Sequence, residues 1–218
     1  MQCYCIDMRA TVDLAMADVK PRVPYRQLQA QETRRRITAA ARRMFAEGGY
    51  AGTSIESIAA EVGIAPRTIY AAFGTKKAIL GAICEAWLEE SRTILLVREA
   101  MDEPDPVQAL ALIAQAARRQ WDMGRDIVRM LNAAAATDGE IAAMLKEWAG
   151  EREKGMGAVV RRISDRLQPG VDPRTASALV RALTGPEMFT SLVDASGWKP
   201  DRYQQWLAET LSSQLLGV

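Results

Sequence analysis

The sequence predicts an all-α fold, in which an N-terminal three-helix domain containing a helix-turn-helix is followed by a larger all-helical domain. Three observations predict it. Apolar residues recur at helical spacing through most of the chain, and beyond residue 76 no convincing strand pattern interrupts them. The stretch VGIAPRTIYAAFGTKKAIL, Val62 to Leu80, is punctuated by Gly63, Pro66 and Gly74, so only a brief helix fits between the breaks. Charge is also divided along the chain. Residues 26–81 hold nine Lys or Arg against four Glu, a net of +5, whereas residues 82–218 hold 16 basic and 20 acidic residues.

Residues 1–25 are expected to form a flexible extension, because Pro21 and Pro24 disfavour helix in Val19-Lys20-Pro21-Arg22-Val23-Pro24. It reads either as an arm adding phosphate contacts or as a stretch preceding a later start at Met8 or Met16. The first domain spans residues 26–80. Its first helix, about Ala30 to Glu47, carries an apolar stripe of Ile37, Ala40, Ala41, Met44 and Phe45 and stops at Gly48-Gly49. Thr53-Ser54-Ile55-Glu56 reads as a capping box, with Thr53 capping the second helix while Glu56 reaches back to it. Ile55, Ile58, Ala59 and Val62 stripe that helix. Gly63 supplies the turn, and Pro66 suits the first position of a third helix, where a missing N–H costs nothing. Two brief helices joined by a tight Gly-containing turn form a helix-turn-helix.

Counting about 100° per residue around the third helix, Ile69 and Phe73 face the core, Arg67 and Ala71 point away, and Thr68 and Tyr70 flank them. In a helix-turn-helix the N-terminal part of the second helix enters the major groove. Pro66, Arg67, Thr68, Tyr70 and Ala71 are therefore the candidate DNA-facing residues. Arg67 can donate two hydrogen bonds to guanine O6 and N7, and the methyls of Thr68 and Ala71 can touch thymine. Tyr70, Thr53 and Lys76, the last at the start of the next helix, are placed for phosphates.

Thr53-Ser54-Ile55, Ile58-Ala59-Ala60-Glu61-Val62-Gly63-Ile64, Thr68-Ile69-Tyr70, Phe73-Gly74 and Lys76 stand in this order within residues 31–80. Together they resemble the N-terminal domain of the tetracycline repressor (TetR) family of bacterial regulators. The resemblance implies that Thr53 and Tyr70 contact the DNA backbone, that Arg67 and Thr68 lie in the base-reading part of the third helix, and that Lys76 meets phosphate. It also implies that the second domain binds a small effector in a cavity and dimerises through its last two long helices. Two positions depart from the common pattern: Ala65 stands where a capping Ser is usual, and Ala71-Ala72 replace bulkier residues, leaving fewer side chains to read bases.

Residues 81–218 are expected to form this ligand-binding and dimerisation domain. A fourth helix from Lys76 to about Met101, striped by Ile79, Ile83, Trp87, Ile94 and Leu95, ends at Asp102-Glu103-Pro104-Asp105-Pro106. Further helices fit Pro106 to Trp121, Arg125 to Ala136, Gly139 to Leu167, Pro173 to Ala195 and Asp201 to Leu216. Gly150, Gly155, Gly157 and Pro186 weaken or kink two of them. Leu179, Val180, Leu183 and Leu192 on one helix, with Leu207, Leu211 and Leu215 on the next, offer more apolar surface than a small domain covers. That favours a homodimer through the last two helices, with intramolecular packing as the alternative. Candidate cavity residues are Trp87, Trp121, Met130, Met144 and Trp148 as walls and Asn132 as a polar group. Ordinary core packing is the alternative for the Trp and Met residues.

No run approaches 18 apolar residues and the first 25 lack a signal peptide, so no membrane partner and a cytoplasmic location are expected. The chain has no His, which removes the usual general base and most catalytic zinc sites. Three cysteines, Cys3, Cys5 and Cys84, suit neither a disulfide framework nor, without His, a metal site. No catalytic residue, metal or cofactor is expected. The sequence thus reads as a DNA-binding transcriptional regulator: a ligand-responsive repressor released from a palindromic duplex operator by a small, largely apolar effector, with cationic ligands admitted by the acidic balance of the body. Two alternatives stay open, a DNA-binding co-regulator without a small-molecule ligand and an all-helical enzyme with a vestigial DNA-binding unit.

Overall fold

The computed structural model describes residues 24–218, and every regular element among them is helical. The extension expected over residues 1–25, including Cys3 and Cys5, lies outside the described residues except for Pro24 and Tyr25.

Pro24 precedes α1 (Tyr25–Gly48), which therefore starts before its apolar stripe and buries only Ile37, Ala40, Ala41 and Phe45. The helix stops where Gly49 takes φ +75°, a conformation that a side chain would strain. Helix α2 (Ile55–Val62) is capped one residue later than the sequence suggests. Ser54 accepts from the Ser57 N–H at 3.0 Å and Ser57 Oγ accepts from the Ser54 N–H at 3.1 Å, a reciprocal box made of two serines. Thr53 cannot take that role, because it is buried and its hydroxyl donates to the Gly49 carbonyl at 2.9 Å. After Gly63, left-handed at φ 72° and ψ 39°, α3 (Pro66–Phe73) begins with Pro66 in its first turn. Ile37, Phe45, Ile58 and Ile69 close the core of this unit together with Ile79, Leu80 and Ile83 of α4 (Lys76–Glu90).

The expected continuous helix to Met101 is broken. Ser91 is buried, with its hydroxyl 2.7 Å from that of Thr93 and 3.1 Å from the Leu88 carbonyl, and Arg92 turns to φ 57°. Such local side-chain bonds compete with the helical ladder. In α5 (Thr93–Asp102) the turn brings Leu96 and Ala100 inward and leaves Ile94 and Leu95, expected in the buried stripe, 37% and 43% exposed.

The spine of the body is α6 (Pro106–Met123), capped by Asp105, with eight buried residues, four of them alanines. Short side chains let neighbouring helices approach closely. Helix α7 (Arg125–Ala135) follows after Gly124. Next comes α8 (Gly139–Arg162), capped by Asp138 and ending short of the expected Leu167 in a tight turn at Ser164–Arg166. The expected helix Pro173 to Ala195 divides at Gly185-Pro186 into α9 (Pro173–Leu183), capped by Asp172, and α10 (Pro186–Phe189), which runs into a wider π-type turn over Thr190–Ala195. The last helix, α11 (Pro200–Leu216), lies along α6.

This arrangement corrects the apolar-surface argument for a dimer. Leu207, Leu211 and Leu215 are fully buried within their own chain, as is Val180, because the alanine-rich spine gives α11 a close seat. Leu179, Leu183 and Leu192 are half-buried and also pack against the core. Among the described residues, no helix is long and apolar enough to cross a membrane.

Gly150 and Gly155 stand in the interior of α8, where an added Cβ would meet no neighbouring atom within 4 Å. Gly150→Ala and Gly155→Ala are each expected to raise stability by roughly 0.5–1 kcal/mol, since only helix propensity changes. Urea unfolding checks this, and a loss of stability in either variant would contradict it.

Candidate nucleic-acid interface

Ile69, with no exposed surface, fixes the rotation of α3, and the helix turns Pro66, Arg67, Thr68, Tyr70 and Ala71 outward together. Phe73, expected at full burial, is half-buried and roofed by the Arg34 guanidinium, 4.1 Å from the ring centroid. Arg67 makes no hydrogen bond or ion pair among the described residues. Tyr70 is 48% exposed and donates its hydroxyl to Glu56 at 3.2 Å. The Glu56 carboxylate raises the Tyr70 pKa, while the Glu56 pKa is lowered chiefly by its own backbone N–H at the start of α2, with help from Tyr70.

The other two candidates for DNA contact, Thr53 and Lys76, sit apart from that face with their polar groups turned inward. Lys76 Nζ donates to the carbonyls of Tyr50, at 2.7 Å, and Thr53, at 3.0 Å, and lies 4.3 Å from the centre of the Tyr50 ring. The loop between α1 and α2 has carbonyls with no ladder partner, and the first turn of α4 brings an ammonium to them. Lys76 therefore clamps this loop with two of its three donors. The Thr53 hydroxyl is likewise used within the same loop.

Much of the positive charge of α1 is similarly employed. Arg36 donates to the Val62 carbonyl at 2.9 Å and Arg34 to that of Ala72, which satisfies C-terminal carbonyls of α2 and α3. Arg43 pairs with Glu61. These roles were not read from the sequence, although the seven-residue spacing of Arg36 and Arg43 already places both on one helix face.

One arginine of α1 reaches the body. Arg42 Nε and Nη2 each lie 2.7 Å from a different oxygen of Asp126, and Nη2 also donates to the Met123 carbonyl at 2.8 Å. The hydrogen bond from Arg42 holds the Asp126 carboxyl below its usual range, and the same bond raises Arg42. Beside this contact Trp87 of α4 donates its indole N–H to the Gln120 carbonyl at 2.7 Å and packs against Trp121 with ring centroids 5.8 Å apart.

The expected effector residues are divided between the core, its edge and the surface. Trp87, Trp121 and Met130 are buried, Met144 and Trp148 are half-buried against the same core, and Asn132 faces solvent. Both indoles of the Trp87–Trp121 pair find carbonyl partners, so the rings fill the space instead of lining it. Hollows occur instead between α1 and α2, beside Arg36, Arg43 and Glu61, and between α6 and α11, beside Val107, Ala111 and Ser212. Cys84 is a buried free thiol whose pKa burial pushes up to about 12, so it is held protonated.

With this geometry in view, residues 37–83, the stretch from the core of α1 through α2 and α3 into α4, match the family model described as bacterial regulatory proteins, tetR family. Over this stretch the chain is similar to the tetR family. It is 30% identical over 120 residues to the HTH-type transcriptional regulator UidR of Escherichia coli K12, a match covering 55% of this chain and 60% of that protein. An uncharacterised HTH-type transcriptional regulator of Mycobacterium tuberculosis H37Rv is 28% identical over 160 residues, covering 73% of this chain and 71% of the relative. Among solved structures, SmeT in complex with triclosan superposes with a TM-score of 0.70 at 24% identity, over 85% of this chain and 92% of that one. NalD, the secondary repressor of the MexAB-OprM multidrug efflux pump in Pseudomonas aeruginosa, gives 0.67 at 23%, over 87% and 98%. At those identities the likeness speaks for the fold alone, an N-terminal helix-turn-helix domain followed by a larger helical domain.

The inward position of Lys76 has a measurable consequence. Lys76→Met should destabilise the protein by about 1.5–3 kcal/mol, because two loop carbonyls lose a charged donor. Arg67→Ala should stay within about 0.5 kcal/mol of the parent. Thermal or urea unfolding of both variants checks this, and an unchanged midpoint for Lys76→Met would contradict the clamp.

Proposed function

We propose that the chain is a sequence-specific DNA-binding transcriptional regulator that works as a homodimer. The observation that carries this reading is the division of labour on α3. Every bond that holds the helix is made behind it, while Arg67, Thr68 and Ala71 stand together on a face with no structural task. In this reading residues 26–80 form the DNA-binding domain and residues 81–218 the effector-binding and dimerisation domain. Arg67 reads a guanine edge, Thr68 and Ala71 contact thymine methyls, and Pro66 lets the backbone approach the groove. Tyr70 meets a phosphate after releasing Glu56, which a phosphate would repel. The dimer forms through α9 to α11, where half-buried Leu179 and Leu183 and the edge-to-face pair Trp198 and Trp206, 5.9 Å apart, supply the anchors that interfaces favour.

The regulator is a repressor that a small effector releases from its operator. Support for a ligand comes from proteins of similar fold, since SmeT is described with triclosan and Bacillus subtilis FadR with stearoyl-CoA, and NalD is described as a repressor. A co-regulator without a small ligand is the second reading. The filled core around Trp87, Trp121 and Met130 favours it.

A gel-shift and footprint on duplex DNA upstream of the protein's own coding region test the proposal. A homodimer should protect a two-fold symmetric site with half-sites roughly 34–36 Å apart, or a multiple of that spacing. Arg67→Ala should cost about 1–3 kcal/mol and relax the preference at one base position per half-site. A monomer on specific DNA, or an equal loss for every sequence in Arg67→Ala, would overturn the assignment.

A further inference from the structure

Two arginines of the body have an Nε–H sealed from solvent without an acceptor, Arg118 and Arg152. They differ in what faces the charge. Arg118 lies against the carboxylates of Asp201 and, at 3.9 Å, Asp122. Arg152 has only uncharged oxygens as partners: Nη2 donates to the carbonyl and, at 2.7 Å, to the hydroxyl of Thr184, and the guanidinium stands 5.4 Å from the centre of the Trp121 ring. Among the described residues no carboxylate pairs with it, and Glu187 acts on it only at a distance. Burial accordingly lowers the pKa of Arg152.

A largely buried cation without a counter-ion is costly, and the carbonyl at the C-terminus of α9 together with one aromatic face offsets only part of that cost. The unused donor also has a direction. The edge formed by Nε and Nη2 is the one a carboxylate grips side-on with two parallel bonds, and here Nε is idle while Nη2 is lent to Thr184. One helical turn to either side, Trp148 and Met156 share the face of α8 that carries Arg152, with Met144 a further turn away. This is a single charge on an apolar stripe. Gly150 and Gly155 flank it at positions that close packing does not require, which leaves this part of α8 free to yield.

We propose that Arg152 anchors an anionic effector, a monocarboxylic acid with an apolar tail, whose carboxylate takes the Nε–Nη2 edge from Thr184 while the tail lies along Met144, Trp148 and Met156. The inference rests on the ligand-responsive reading above and replaces its cationic option, since the acidic balance of the body is a property of its surface and the unpaired buried charge is positive. It also supplies a route to the DNA unit. The Thr184 carbonyl accepts from Trp121 as well, at 2.8 Å, and Trp121 packs on Trp87 of α4. Withdrawing Arg152 from Thr184 loosens the seat of Trp121 and hence of the helix that begins at the recognition unit.

Calorimetric titration of the full chain with octanoate, 1-octanol and octylamine, free and bound to its footprinted duplex, tests the anchor. Octanoate should bind roughly 10- to 100-fold more tightly than 1-octanol, as expected for a charge-assisted bond, and should weaken duplex binding. Arg152→Met should lose that preference, and Arg152→Lys, which keeps the charge without the fork, should keep a smaller part of it. Circular dichroism establishes that each variant is folded. Octanol equal to octanoate with the duplex still released would overturn the anchor and leave the ligand-responsive reading standing. A preference that depends on Arg152 without any change in duplex affinity would support the anchor and overturn the switch. No binding by any of the three, or a preference that survives in both variants, would overturn the anchor.

Discussion

The N-terminal unit is joined to the body at the four-residue corner between α6 and α7, and the placement of both α1 and α4 depends on it. Met123 and Asp126 grip Arg42 of α1. Gly124 between them admits Trp87 of α4 so closely that a Cβ there would stand 2.2 Å from its ring. The two halves of this joint differ physically. The Arg42–Asp126 pair is bidentate but about a third exposed on each side, so screening keeps it on the order of 1 kcal/mol. The glycine is a steric requirement that no solvent condition relaxes. A ligand-driven shift of α6 would therefore move α1 and α4 together, and with them α3, which packs on α4 and is held by Arg34 of α1.

Charge in the N-terminal unit has two uses that net charge alone cannot separate. Arg34, Arg36, Arg42 and Lys76 satisfy helix ends, loop carbonyls or a carboxylate of the body. Each replaces water at an oxygen that folding would otherwise strand. Arg67 alone among the candidate readers is a cation with nothing to hold, which is why the proposed specificity rests on it. With Ala71 and Ala72 beside it, few other side chains can reach a base edge.

The α2–α3 motif was legible because its signals are local: Gly63 at a left-handed turn, Pro66 in a first turn, and an apolar period that put Ile69 inward and Arg67 outward. Signals that depend on the third dimension were not. Thr53 and Ser54 are both good caps, and only the burial of Thr53 against Gly49 decides between them. The stripe through Ile94 and Leu95 looked continuous with that of α4 because one left-handed residue, Arg92, leaves no mark in a periodicity. The leucines of α11 looked surplus because the alanine spine of α6 that covers them lies some ninety residues away in sequence. For Arg152 the decisive feature is a missing partner, and a sequence lists only the residues present.

The Arg42–Asp126 contact at the corner between α6 and α7 is the charged half of this joint, and a double-mutant cycle measures it. Arg42→Ala, Asp126→Ala and the double variant are compared with the parent by urea unfolding. If the corner is the joint, the two single losses overlap, with an interaction energy of roughly 1 kcal/mol in favour of the pair. Losses that simply add, to within about 0.3 kcal/mol, would mean that the two residues do not hold each other and that the charged half of the joint is not made.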